Sequence, residues 1–128
     1  MKKIILHGII ASALASVVGI VYQVIYQSAL DCDFSKVINP ISISMACIVG
    51  CLLISLGYIL LSKFNLGKFK GWLNSLISIL SFASIIGPIG TTLPLDINNP
   101  ELFVGLIAPL HLLPALAFFT ISSFFKYE

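Results

Sequence analysis

The sequence carries very little charge: 9% of its 128 residues are charged, and none of them is arginine. Soluble domains have about 25% charged residues, whereas this chain is 59% hydrophobic and has a mean hydropathy of +1.09. Polar groups this scarce could not cover the surface of a soluble domain, so the composition predicts an integral membrane protein. With no basic, aromatic-interleaved patch, the sequence indicates no nucleic acid partner.

The sequence also lacks the patterns that carry chemistry, with no nucleotide-binding loop and no pairing of a nucleophile with a base. Its three cysteines, Cys32, Cys47 and Cys51, form no Cys-x-x-Cys pair. Two thiolates on one helix without histidine or acidic neighbours make a weak metal site. We therefore expect no metal and no cofactor. Asp31 and Asp33 flank Cys32, so their charge should raise the pKa of its thiol.

Four long apolar runs are present instead, at about Ile4–Tyr26, Ile41–Leu61, Trp72–Ile89 and Leu102–Phe125. About 20 apolar residues span a bilayer as a helix, and a helix satisfies its own backbone in lipid. The connections between the runs are short, so neighbouring helices must be antiparallel. The sequence predicts an all-α polytopic membrane protein, an antiparallel four-helix bundle that forms a single domain over residues 1–128.

Lysine is unevenly distributed about these runs. Six lysines fall on one side of the predicted membrane: Lys2, Lys3, Lys63, Lys68, Lys70 and Lys126. The opposite side holds Lys36 together with four acidic residues, Asp31, Asp33, Asp96 and Glu101. Because lysine accumulates in cytoplasmic loops, we expect both termini to be cytoplasmic, with Tyr127 as an interfacial anchor there. The expected location is a cell membrane, most simply the cytoplasmic membrane of a bacterium.

The first apolar run begins like a secretory signal, with a basic end and an Ala-x-Ala site at Ala13–Ala15. It continues to full spanning length, however, so we expect a retained first helix. Ala11, Ala15 and Gly19 recur every four residues along it, and small residues let membrane helices approach closely. We therefore expect this helix to be central in the bundle.

The final run contains a histidine between two prolines. Pro109 and Pro114 lack an N–H, which frees the carbonyls of Gly105 and Leu110 four residues earlier. Exposed carbonyls at membrane depth are tolerated only inside protein or beside water. We therefore expect a kinked final helix in which His111 faces the interior of the bundle.

Counting residues places His111 nine positions into its run, about 14 Å at the helical rise. The candidate polar site at that depth consists of His111, Ser81, Ser84, Ser16 and Gly105. No acid or lysine lies there, so we expect a neutral ring, hydrogen-bonded to a serine hydroxyl or to a freed carbonyl. An intramembrane ionisable residue indicates a functional site, but a structural histidine that ties the kinked helix to the third run remains open. His7 lies about 15 Å away along the membrane normal, which argues against a haem shared by the two histidines.

A second irregular stretch, IIGPIGTTLPLDINNP, follows the third run. Gly87 and Pro88 predict that the third helix ends or breaks there. Such a stretch is either a plain helix terminus with a proline-rich turn or a broken helix of the kind that forms sites in transporters. The sequence favours the turn.

The final run, FVGLIAPLHLLPALAFF, resembles the last helix of small bacterial four-helix integral membrane proteins of uncharacterised function. The resemblance covers one helix and implies no activity.

Three functions are compatible with the sequence. The first is a non-enzymatic membrane protein that acts by association, as an accessory subunit or small membrane module, with the lipid bilayer and a membrane protein or a second copy as partners. The second is a small transporter or channel with a polar site around His111. The third is a lipid-modifying enzyme, for which Asp96, Glu101 or His7 could supply the acid or base. A polar cavity that reaches His111 would favour the second, and a dry, closed bundle would favour the first.

Overall fold

The computed structural model describes residues 1–125, and within them the chain forms helices and no strand. Lys126 and Tyr127, the predicted cytoplasmic lysine and interfacial anchor, lie outside the described residues. Four segments of the described range are long and apolar enough to cross a membrane: Lys2–Leu30, Pro40–Lys63, Gly67–Ile89 and Leu102–Phe124. This confirms the prediction of an α-helical protein with four segments that could span a membrane, as expected of a multi-pass membrane protein.

The helices are α1 (Lys2–Leu30), α2 (Pro40–Lys63), α3 (Lys70–Ala83), α4 (Ile86–Ile89) and α5 (Leu102–Ile121), with 3₁₀ turns at Gly67–Phe69 and Ser122–Phe124. α2 starts at a capping box. The Asn39 side chain accepts a hydrogen bond from the Ser42 N–H at 2.9 Å, and the Ser42 hydroxyl accepts one from the Asn39 N–H at 3.0 Å. Pro40 occupies the first helical position, where its missing N–H costs nothing.

The third segment is interrupted four residues before Pro88. α3 ends at Ala83, residues 84–85 form a turn, and α4 contains only four residues. Pro88 has no N–H to give the carbonyl of Ser84, and a proline ring clashes with the carbonyl four residues earlier. The interruption that the sequence predicts near residue 87 therefore falls slightly earlier, at Ser84.

α1 packs along α2 and α5 through its small residues. Ala11 and Ala15 are completely buried, and Gly8 is buried on the same side. A Cβ added to Gly8 would lie 2.1 Å from the hydroxyl oxygen of Ser55, so a larger residue there would require the Ser55 side chain to move. The predicted small-residue stripe is thus a packing face. α1 is not central among all four segments, however, since its main neighbours are α2 and α5.

α3 is held much more loosely than α1. It packs against α2 and α5, yet 6% of the apolar window of the third segment is buried, compared with 44% in the first. Ile77 is the one buried residue of α3, a helix that lies wholly within the described range. Large side chains such as Trp72 and Phe82 are exposed. This loose packing leaves space between α3 and the pair formed by α2 and α5.

The loop between α1 and α2, residues 31–39, packs into the bundle at one end of the space between α3 and the α2–α5 pair. Phe34 is completely buried in the loop, with its ring centroid 5.4 Å from that of Phe103 on α5. The buried Gln23 of α1 donates from its amide nitrogen to the carbonyl of Ile38 at 3.1 Å. These contacts fix the loop backbone beside the start of α2.

Candidate functional site

A cavity of about 720 Å³ lies between α2, α3 and α5. It extends from Val37, just before α2, to Leu73, near the start of α3. Leu53 and Leu80 line it and are themselves 64% and 58% exposed. Since these two residues lie within the membrane-spanning helices, the cavity opens sideways, towards the region that lipid would occupy.

The walls of the cavity are mostly apolar. The polar side chains that line it are the hydroxyls of Ser42, Ser81 and Ser84, the ring of His111 and the thiol of Cys47. Among the described residues, no aspartate, glutamate or lysine is part of the lining. The cavity therefore offers a largely hydrophobic surface with a few separate hydrogen-bonding groups, the composition typical of sites for small molecules.

Three of the five predicted site residues, His111, Ser81 and Ser84, line this cavity. Ser16 does not, because it lies on α1, where its hydroxyl donates to the carbonyl of Ser12 at 2.7 Å. Gly105 does not line it either, because it lies next to α1, where a Cβ would come within 2.3 Å of the Tyr26 hydroxyl. A count of residues along each helix predicts depth but does not assign a residue to a side of α5.

His111 is half-buried, and its ring nitrogen Nδ1 donates to the carbonyl of Ile107 at 3.1 Å. A carbonyl oxygen can only accept, so Nδ1 carries the hydrogen. The sequence predicts a serine or a proline-freed carbonyl as partner, but the Ile107 carbonyl is the ordinary backbone acceptor one turn earlier. Nε2 has no hydrogen-bond partner in the described part of the chain. A neutral imidazole protonated at Nδ1 presents Nε2 as an acceptor.

The carbonyl that Pro109 frees has a partner on α1. The hydroxyl of Tyr22 donates to the carbonyl of Gly105 at 2.8 Å, and that of Tyr26 donates to the carbonyl of Leu102 at 2.8 Å. α5 continues as one helix through both of its prolines. The two tyrosines are one helical turn apart, which matches the spacing of the two acceptors. They are polar links between α1 and α5.

His7 has a structural position that the sequence does not indicate. It is completely buried, and Nε2 donates to the carbonyl of Phe118 at 2.8 Å. Phe118 belongs to the last turn of α5, where carbonyls lack partners within the helix. The ring of His7 also stacks on Phe118 and Phe125, with centroid distances of 3.9 and 4.6 Å. His7 is therefore a buried cap that joins α1 to the end of α5.

A smaller pocket of about 280 Å³ lies between the α1–α2 loop and the loop that precedes α5. Lys36 and Asp96 form an exposed ion pair there, and the hydrogen bond from Lys36 holds the pKa of Asp96 below its ordinary value. Cys32 is buried beside them. Burial, followed by the charges of Asp31 and Asp33, raises the pKa of its thiol, which confirms the predicted direction.

These loop residues do not form a recognisable metal centre. Among residues 1–125, no group of three or more histidine, cysteine, aspartate or glutamate side chains is arranged to hold an ion. Asp96, one of the candidate acids for an enzyme, is already paired with Lys36 across two loops. Exposed ion pairs contribute little to stability, so this contact chiefly sets the spacing of the two loops.

Comparison of the chain with family models, with curated proteins and with solved structures finds no match.

Proposed function

We propose that this protein is a non-enzymatic integral membrane protein that acts by association, and that it associates with a small amphiphile held in the cavity between α2, α3 and α5. The observation that carries the proposal is the cavity itself. Its volume of about 720 Å³ falls in the range of about 300–1,000 Å³ typical of small-molecule sites. A mostly apolar wall with a few hydrogen-bonding groups suits a molecule that dissolves in the bilayer and enters from the side.

The volume favours a small molecule over a transmembrane helix as the occupant. A helix that spans the bilayer is about 30 Å long, whereas a cavity of about 720 Å³ has the size of a site for a small molecule. A partner protein or a second copy of this chain could cover the exposed side of α3. The cavity accordingly supports association with a lipid-like molecule as the activity of a small membrane module.

The cavity reaches His111 but is mostly apolar and open at the side, so it is neither the polar cavity expected of a transporter or channel nor the closed bundle expected of a protein that acts by association. A transporter or channel is supported less well by this apolar wall. Ion pathways use rings of carbonyls, charged side chains or other close-packed polar ligands to replace the hydration shell. Here His111, Ser81 and Ser84 reach the cavity, but leucine and isoleucine side chains surround them. Lipid modification is also less favoured, since His7 is buried as a helix cap and Asp96 is ion-paired.

The proposal is tested by filling the cavity. Ala46 lines it, and Ala46→Phe should occupy the space that the ligand needs. Ala13 is exposed on α1 and does not line the cavity, so Ala13→Phe is the matched control. The wild type and both variants are purified from native membranes in mild detergent, and bound molecules are extracted and identified by mass spectrometry.

We expect an apolar molecule to be retained at about one per chain by the wild type and by Ala13→Phe, and to be lost from Ala46→Phe. Retention by all three proteins would place the ligand elsewhere on the surface. Recovery of the wild type with no bound molecule, or with a protein partner alone, would contradict the proposal.

A further inference from the structure

The lining of the cavity restricts the charge of the molecule that it can hold. In the described residues, no lining side chain is acidic or basic apart from the ring of His111. A charged group brought out of water without a partner costs several kcal/mol. An anionic headgroup would find no lysine there, and a cationic one would find no carboxylate. The polar part of the ligand is therefore uncharged where it meets the protein.

The hydrogen bonds that the protein already makes restrict the ligand further. The Ser84 hydroxyl donates to the carbonyl of Ser81 at 2.7 Å, and the Ser42 hydroxyl donates to the carbonyl of Asn39 at 2.7 Å. Each of these oxygens can then only accept another hydrogen bond. When the ring carries a single hydrogen, on Nδ1, Nε2 of His111 is likewise an acceptor. The Cys47 thiol that also lines the cavity is only a weak donor, so the cavity presents more acceptors than donors.

Ser81 is the lining hydroxyl with no hydrogen bond of its own in the described range. The Ser81 hydroxyl can donate or accept, so it does not change the excess of acceptors over donors in the cavity. A ligand whose polar group only accepts, such as an ether or an ester, would leave the acceptor on His111 unsatisfied. A ligand with a hydroxyl would satisfy it.

We propose that the ligand is an uncharged, hydroxyl-bearing lipid whose O–H donates to Nε2 of His111, while its hydrocarbon chain lies along the apolar walls formed by α2 and α3. This inference rests on the proposed function, because it assumes that the cavity is occupied. The chemical class is a neutral lipid alcohol. His111 is then the residue that selects the hydroxyl.

The test uses three probes of equal chain length with the full-length protein in lipid nanodiscs: hexadecanol, its methyl ether, and palmitate at a pH where it is ionised. Binding is measured by displacement of radiolabelled hexadecanol. We expect hexadecanol to bind about tenfold more tightly than the ether, the size of one net hydrogen bond in a buried site. Palmitate should bind more weakly than hexadecanol.

Variants of His111 assign that preference to the ring. His111→Leu removes the acceptor and keeps apolar volume, so hexadecanol and the ether should bind equally well. His111→Gln keeps an acceptor near the position of Nε2 and should restore part of the preference. Because the comparison of probes on the wild type needs no variant, the test survives a variant that fails to fold.

The outcomes separate this inference from the proposed function. If hexadecanol and its ether bind the wild type equally and Ala46→Phe blocks both, the cavity holds a lipid but the hydroxyl is not recognised. The same conclusion follows if palmitate binds best. If none of the three probes binds, or if Ala46→Phe binds them as the wild type does, both the proposed function and this inference are wrong.

Discussion

The two histidines of the chain lie in opposite environments although both belong to apolar helices. His7 is completely buried, and its hydrogen bond crosses from α1 to the last turn of α5. His111 is half-buried and bonds to a carbonyl of its own helix. A contact between helices stabilises the bundle, whereas a contact within one helix adds little to tertiary structure. The stability of the bundle should therefore depend on His7 and barely on His111.

This contrast gives a matched pair of substitutions. His7→Ala removes a stacked ring and leaves the Phe118 carbonyl without its donor, so we expect a loss of about 2–4 kcal/mol in the free energy of unfolding. His111→Ala should cost less than about 1 kcal/mol. Thermal and denaturant unfolding in detergent, followed by circular dichroism, measures both. An equal loss for the two variants would show that His111 also has a structural role.

At the scale of the helices, two kinds of contact set the packing of α1 against α5: hydrogen bonds from side chains to backbone carbonyls, and close approach at a glycine. Tyr22 and Tyr26 donate to carbonyls of α5, and Gly105 leaves room for the Tyr26 hydroxyl. In a bilayer the lipid chains are as apolar as leucine, so close approach and polar contacts replace the hydrophobic effect as the source of helix association. Pro109 contributes to this contact, because it frees the carbonyl of Gly105, which accepts the hydrogen bond from Tyr22.

The contact predicts a specific penalty for a single methyl group. Gly105→Ala would place its Cβ 2.3 Å from the Tyr26 hydroxyl oxygen, so we expect a loss of about 1–3 kcal/mol from overpacking. Gly71→Ala is the control, because nothing lies within 4 Å of its added Cβ and alanine is the better helix former. Tyr26→Phe should reduce the penalty at Gly105. Unfolding of the single and double variants measures this coupling, and independent effects would contradict the assignment.

At the scale of the whole molecule, the sequence predicts the spans well and the packing of α3 poorly. The lengths of the apolar runs, compared with the thickness of a bilayer, predict the four segments. Pro88 predicts the interruption after α3 to within a few residues. Hydropathy cannot distinguish a face that meets protein from one that meets lipid, since both are apolar. The loose fit of α3, the cavity and the role of His7 all depend on that distinction. For the same reason, the sequence groups His111, Ser81 and Ser84, which line the cavity, with Ser16 and Gly105, which lie on the side of α1.

The orientation of the bundle in the membrane is predicted from the distribution of charged residues alone. Three lysines, Lys63, Lys68 and Lys70, lie at or just beyond the α2–α3 connection, whereas the α1–α2 loop holds Lys36 with two aspartates. The positive-inside rule then places the α2–α3 connection in the cytoplasm and the α1–α2 loop outside. Ser35 and Asn65 are exposed in these two loops, so cysteines introduced there report on the two sides separately.

We expect Ser35→Cys to react with a membrane-impermeant maleimide on intact cells, and Asn65→Cys to react only after lysis. The native thiol nearest to Ser35 is Cys32, which is buried and has a raised pKa, so the unsubstituted protein should label slowly and serves as the background. Replacing Lys63, Lys68 and Lys70 together by glutamine should weaken the orientation and let both positions label from outside in part of the population. Labelling of Asn65→Cys, but not of Ser35→Cys, on intact cells would mean that the bundle has the opposite orientation, with the Val37 end of the cavity on the cytoplasmic side.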